Sequence, residues 1–158
     1  MTTLKFLAGL VVCATLLMKP GLVHAQLLTR AEFFSKTAGD DKDHDTGVWV
    51  KVVAADGKTK LADIANAANS SGESTHYNDN TSHTIKLTVD NGRATRHECE
   101  KFKFKVGIKA NGNDNWKFSA RVTLYFEKGK TLVEHITNAD LNSRGSTYVE
   151  TPKWAGGK

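Results

Sequence analysis

The sequence predicts an all-β protein, an antiparallel β-sandwich with one short helix in a long connection. Apolar and polar residues alternate along several segments, which is the pattern of strands that bury one face. Clusters of asparagine, aspartate and glycine separate these segments and indicate turns. The chain has 158 residues, of which 39% are hydrophobic, so it can fold as one domain. Its 2 cysteines exclude a disulfide scaffold.

The alternation predicts the strands in chain order. Residues 47–54 are rich in valine, and residues 83–89 carry threonine, isoleucine, leucine and valine. Weaker alternation predicts further strands at residues 31–37, 131–137 and 146–151. Trp49 and Trp116 are expected to pack in the core or at its rim.

The clearest alternation lies on the two sides of a turn signal. Residues 101–109 alternate lysine or glycine with phenylalanine, valine and isoleucine. Residues 117–127 (KFSARVTLYFE) likewise place an apolar residue at every second position. Residues 111–115 (NGNDN) between them favour a turn. Together they predict a long β-hairpin with one apolar face.

A basic face follows from the predicted hairpin. If the turn is centred near Asn113, Lys109 lies opposite Lys117, and Lys105 lies opposite Arg121. Like charges directly opposite destabilise a sheet by up to about 1 kcal/mol a pair. One interpretation of these pairs is an anion-binding surface for acidic polysaccharide or lipid headgroups. The favoured interpretation is a solvated face whose lysines discourage sheet edges from pairing. Nucleic acid is not expected as a partner.

The connection between residues 54 and 83 has a different pattern. Residues 60–68 (KLADIANAA) favour a short helix, and residues 69–82 are polar and predict a long loop. Residues 152–158 predict a flexible C-terminal tail.

The N-terminal 25 residues have the pattern of a signal peptide. Lys5 precedes an uncharged apolar run over residues 6–18, which is shorter than the roughly 20 residues that span a bilayer. Small residues around Ala25 favour cleavage there, which leaves residues 26–151 as the sandwich domain. Removal of two lysines would lower the net charge from +5 to +3. A secreted or periplasmic protein without a transmembrane segment is expected.

The most unusual segment is acidic. Asp40, Asp41, Asp43 and Asp45 fall within six residues between two predicted strands. Calcium relieves the repulsion of such carboxylates, because it takes 6–8 oxygen ligands. The alternative is a solvated turn in which Lys42 and His44 relieve the repulsion and the carboxylates cap backbone amides.

The directions of the strands decide which other loops lie at the same end of the sheet as the acidic loop. If the connection returns the chain to the end where the acidic loop lies, the turn at residues 111–115 lies at that end too. Residues 78–80 would also lie there. Asp114 would then join the calcium ligands, with Asp79 and Asn113 at the same rim.

Two blocks carry a resemblance to a known group of domains. Residues 40–46 (DDKDHDT) run into the strand at 48–53, and residues 113–116 (NDNW) run into the strand at 122–126. This layout resembles the calcium-binding β-sandwiches of C2 and PLAT (lipoxygenase-homology) domains. The resemblance implies that a lipid, a sugar or a partner protein binds near a calcium ion. The calcium ligands it implies are Asp40, Asp41, Asp43, Asp45 and Asp114.

No catalytic motif is present in the sequence. It lacks the nucleophile elbow, the zinc-protease helix motif, the P-loop and the dinucleotide fingerprint. His97 and Cys99 are close in sequence, but this spacing defines no triad. We therefore expect a noncatalytic binding module with a calcium site. A metal-free protein that binds anions is the alternative, and a small hydrolase is less favoured.

Overall fold

The segments with alternating apolar and polar residues form a single antiparallel sheet in the computed structural model. The structure describes residues 25–40, 42, 45–69 and 77–151. The strands in chain order are β1 (Leu28–Thr37), β2 (Gly47–Val53), β3 (Lys60–Ile64), β4 (Ser82–Val89), β5 (Lys103–Lys109), β6 (Asn115–Phe126), β7 (Thr131–Asn142) and β8 (Tyr148–Glu150). Short 3-10 turns occupy Ala67–Asn69 and Glu127–Gly129. The order across the sheet is β7-β6-β1-β4-β3-β2-β5-β8. The predicted all-β, antiparallel fold is confirmed.

The sheet curls until it nearly closes. One half comprises β7, β6, β1 and β4, and the other comprises β3, β2, β5 and β8. The pairing of β3 with β4 that joins them is short, with Ala62 opposite Val89 and Asp63 opposite Thr88. At the other side the edge strands β7 and β8 come into contact. Both halves therefore bury their apolar faces in one core.

The period-two pattern fills this core as the sequence predicts. Along β6 every second residue from Trp116 to Phe126 is buried, and β5 buries Phe104, Val106 and Ile108. Residues between them point outward, because neighbours on a strand face opposite sides.

The helix predicted at residues 60–68 is wrong. Residues 60–64 form β3, and only Ala67–Asn69 turn as a 3-10 helix. Leu61 and Ala62 are both buried, and β3 pairs with β2 and β4. Burial and pairing on both sides outweigh the local helix preference of these residues.

β3 returns the chain to the end of the sheet at which β1 stops, which we call the acidic rim. The Asn80 amide donates a hydrogen bond to the Ala38 carbonyl (3.2 Å), and the Lys117 amide donates to the Asp40 carbonyl (3.0 Å). The loops after β1, before β4 and before β6 therefore meet at one end.

The hairpin predicted between residues 101–109 and 117–127 is also wrong. β5 pairs with β2 and β8, whereas β6 pairs with β1 and β7. The turn between them carries the chain from one half of the sheet to the other. Each strand still buries its apolar face after this crossing, because both halves of the sheet face the same core.

Several predictions lie outside the described residues. These are nearly all of the signal peptide at residues 1–25, the tail at residues 152–158, Asp41 and Asp43. In the part of the chain that is described, no helix has the length and apolar character needed to cross a membrane.

Candidate functional site

The acidic rim brings together some of the predicted calcium ligands. The Asp40 carboxylate lies 3.1 Å from Lys117 Nζ, and this hydrogen bond and charge raise the pKa of Lys117. The Asp45 carboxylate accepts a hydrogen bond from Asn111 Nδ2 (2.9 Å). Asp40 and Asp45 thus each contact a donor side chain that follows β5 in the chain, Lys117 and Asn111 respectively.

Asp114 lies deeper in the same rim. Its side chain is buried, its amide donates to Ser143 Oγ (3.1 Å), and its carbonyl accepts from the Ser143 amide (2.9 Å). Asn113 Oδ1 accepts from Arg144 Nε (2.9 Å). The turn before β6 is therefore fastened to the turn between β7 and β8.

A polar cleft of about 400 Å³ opens between these turns. Asp40, Asn113 and Asp114 line it, and Asp79 does not. Among residues 25–40, 42, 45–69 and 77–151, no group of three or more histidine, cysteine or acidic side chains could hold a metal ion. Calcium binding at this rim stays a prediction, since Asp41 and Asp43 are outside those ranges.

The predicted basic residues divide between the two halves of the sheet. Lys105 and Lys109 lie on β5, with Lys109 opposite Gly47. Lys117 lies on β6 opposite Asp140, and Arg121 lies opposite His135. The predicted pairs of like charge do not form, because β5 and β6 are not neighbours.

Arg121 belongs to the outer face of β1, β4 and β6. Its guanidinium lies 4.8 Å from the centre of the Phe34 ring. Nearby, Arg30 lies 3.2 Å from Glu32, and the Tyr125 hydroxyl donates to Glu32 (2.6 Å), which raises the pKa of Tyr125.

A different pair of like charges occurs on the outer surface of β2 and β5. Lys51 lies directly opposite Lys105, and both alternate with buried residues. Lys103 and Lys109 project from β5 to the same side. We call these four residues the lysine face. Lys105 Nζ lies 3.1 Å from Glu150 on β8; the other three form no ion pair with a described residue.

An aromatic row adjoins the lysine face. Trp49 on β2 lies opposite Gly107 on β5, and Gly107 lies opposite Tyr148 on β8. The Trp49 and Tyr148 rings have centres 6.4 Å apart and planes tilted by 38°. Lys105 Nζ lies 5.4 Å from the centre of the Tyr148 ring. We call Trp49, Gly107 and Tyr148 the aromatic row.

The sequence interpretation missed this row. Trp116 is buried as expected, but Trp49 is only half-buried and lies on the outer side. The signal was present, because Trp49 alternates with the buried Val48 and Val50. Its partners on β5 and β8 could not be read locally, since they are distant in sequence.

The residues near Cys99 do not form a catalytic arrangement. The Cys99 thiol is free and buried, and burial raises its pKa to about 11. His97 is 92% exposed, and its Nδ1 lies 3.4 Å from Glu100 rather than from the thiol. A thiol with this pKa is a poor nucleophile at neutral pH.

No protein-family model, curated protein or solved structure matches this chain. The resemblance to C2 and PLAT domains therefore stays a prediction. The function is inferred below from the geometry of the acidic rim and of the lysine face with its aromatic row.

Proposed function

We propose that this chain is an exported, noncatalytic binding module that holds an anionic polysaccharide on its lysine face. The observation that carries the proposal is the direct pairing of Lys51 with Lys105 on a solvent-exposed surface. A like-charge pair costs up to about 1 kcal/mol; Glu150 offsets part of this cost at Lys105, and a bound polyanion would offset the rest.

The arrangement of charges supports a linear polymer. Lys103, Lys105 and Lys109 follow one strand, where residues two apart are spaced by about 6.6 Å. A polysaccharide with regularly repeated acidic groups can contact several of these ammonium groups at once. A single lipid headgroup can contact fewer of them.

The test is binding to polygalacturonate and to chondroitin sulfate by calorimetry at low and moderate salt. We expect binding that weakens with salt, because exposed charges are screened. Lys51→Glu and Lys105→Glu should each reduce affinity about tenfold, which corresponds to about 1.4 kcal/mol.

The matched control is Lys130→Glu, an exposed lysine before β7 in the other half of the sheet. It should leave affinity within about twofold, since a change of about 0.4 kcal/mol corresponds to that factor. Absence of binding to both polymers, or an equal effect of all three variants, would refute the proposal. Tighter binding to anionic vesicles than to either polymer would instead identify a membrane ligand.

Calcium binding at the acidic rim is a second candidate. The observation in its favour is that Asp40, Asp45 and Asp114 come from loops that meet at one end. Calcium should then raise the melting temperature, because it binds only the folded state. Asp114→Asn should remove this rise and Asp79→Asn should not; a melting curve insensitive to calcium in the unaltered protein would exclude the site.

A further inference from the structure

The aromatic row is built around a glycine, because the Trp49 indole occupies the space above Gly107. Gly107 lies on the outer side of β5, but it is buried because the Trp49 indole covers it. A Cβ at this position would overlap the Trp49 indole, and three atoms of that ring surround it. The indole therefore lies across the β5 backbone toward Tyr148. Glycine in a strand is destabilising by roughly 0.5–1 kcal/mol relative to alanine, and the indole packed over Gly107 covers the backbone that the missing side chain leaves open.

The row also leaves apolar surface in contact with water. Tyr148 is 52% exposed on a three-residue edge strand. The Trp49 indole covers Gly107, and Trp49 itself is only half-buried, so part of it stays in contact with solvent. Two neighbouring aromatic rings thus form a continuous surface beside Lys51 and Lys105.

We infer that the aromatic row is a subsite on which a pyranose ring of an acidic polysaccharide stacks. This inference rests on the proposed function and names the sugar contact within it. The apolar C–H face of a pyranose matches an aromatic ring, and the flanking lysines match an acidic substituent on the same sugar. Lys105 lies close enough to the Tyr148 ring, at 5.4 Å, for one sugar to contact both.

Single-stranded nucleic acid also combines stacking with basic side chains. The carboxylates on this surface favour the sugar. Glu150 lies on β8 two residues from Tyr148, and Asp63 lies opposite Lys51. Both repel any anionic group close to them, but both can accept hydrogen bonds from the several free hydroxyls that each sugar of a polysaccharide offers and that a single-stranded DNA backbone lacks.

The experiment compares an oligogalacturonate with its fully methyl-esterified form, which has the same rings and linkages without charge. Binding is measured by calorimetry and by quenching of tryptophan fluorescence. We expect the charged form to bind more tightly and with salt dependence, and the neutral form to bind weakly with little salt dependence. Tyr148→Ala should lower affinity for both forms about tenfold. Lys51→Glu should lower affinity for the charged form alone.

Gly107→Ala provides a second, independent variant, since it displaces the indole while every lysine and both aromatic residues remain. It should also lower the affinity for both the charged and the methyl-esterified oligogalacturonate. Trp49→Phe should remove most of the quenching. Val133→Ala, which shortens an exposed apolar residue (43%) in the other half, is the matched control and should change neither affinity.

The outcomes separate the two proposals. If Tyr148→Ala and Gly107→Ala leave both affinities unchanged while Lys51→Glu weakens the charged form, the stacking subsite is wrong and the proposed function stands. If the aromatic variants weaken both forms while Lys51→Glu has no effect, stacking stands and the role of the lysine face is wrong. Absence of binding to both forms, or tighter binding of an oligonucleotide that depends on Tyr148, overturns the inference.

Discussion

At the scale of single residues, one buried hydrogen bond organises the core near the acidic rim. Trp116 Nε1 donates to Thr37 Oγ1 (3.1 Å), and both side chains are buried. The Trp116 ring stacks on Phe118 (3.8 Å between centres, 14°) and meets Tyr77 edge-on (5.1 Å). This bond satisfies the indole donor and fixes the ring between its aromatic neighbours.

Thr37→Val should therefore destabilise the protein despite its nearly unchanged volume. The substitution leaves the Trp116 N–H buried without its acceptor, which costs about 1–3 kcal/mol. Urea denaturation measures this as a lower free energy of unfolding. Thr29→Val is the control, because the Thr29 hydroxyl donates to the Tyr125 carbonyl in an exposed position. Equal losses in both variants would contradict the role of the buried bond.

Residue-scale features were predictable from sequence only as far as one strand determines them. Alternation assigns Phe104 and Val106 to the core and Lys105 to the outside, as observed. It cannot tell which residue lies opposite Lys105, because this depends on which strand is the neighbour. The observed neighbours are Lys51 and Glu150, and neither belongs to the predicted hairpin.

At the scale of elements, the sequence predicted most strands but misassigned two features. The turn signal at residues 111–115 is real, yet the strands on its two sides pair elsewhere. A turn indicates that the chain reverses, and only the packing of the whole sheet determines the partner. Residues 60–64 have helix-forming residues, but pairing on both sides makes them a strand.

One carboxylate accepts three hydrogen bonds in the turn between β2 and β3. Asp56 Oδ1 accepts hydrogen bonds from the amides of Lys58 (2.8 Å) and Thr59 (2.9 Å), and Oδ2 accepts from Thr59 Oγ1 (2.6 Å). The Thr59 side chain contributes most, and together these bonds lower the pKa of Asp56 from its ordinary value of 3.8 to about 2.

This turn predicts a definite dependence on pH. The folded pKa is depressed, so the contribution of Asp56 to stability is present above pH 3.8 and is lost as the pH falls toward about 2. Thr59→Val removes the largest cause and should raise the pKa of Asp56, as measured by NMR titration of its carboxyl carbon. Thr84→Val, an exposed threonine on β4, should leave that pKa unchanged. An Asp56 pKa unaffected by Thr59→Val would contradict this account.

At the scale of the whole molecule, charge is concentrated in local clusters, whereas the core that stabilises the fold is shared by both halves of the sheet. The acidic rim lies at one end of the sheet and the lysine face runs along the outside of β2 and β5, with Lys109 where the two regions meet. The net charge of +5 therefore conceals two local environments. Stability is shared between the halves, because residues from both form one continuous core. The short pairing of β3 with β4 contributes few backbone hydrogen bonds to their union.

A single core substitution should therefore destabilise both halves together. Phe104 on β5 is fully buried, and Phe104→Ala should lower the free energy of unfolding by about 3–5 kcal/mol through lost burial and the cavity left behind. Hydrogen exchange at amides of β1 and β6, in the other half, should lose protection by the same free energy as amides of β5. Calorimetry should give one transition, with calorimetric and van't Hoff enthalpies equal.

The comparison variant is Val133→Ala, which shortens a partly exposed residue on β7 and should change stability by less than about 0.5 kcal/mol. The decisive measurement is the protection of β1 and β6 in the Phe104→Ala protein. If those strands keep their protection while β5 loses its own, the halves fold as separate units. The short contact of β3 with β4 would then be a hinge between them. If all of them lose protection equally, the shared core unites the halves, and the lysine face and acidic rim are held on one cooperative scaffold.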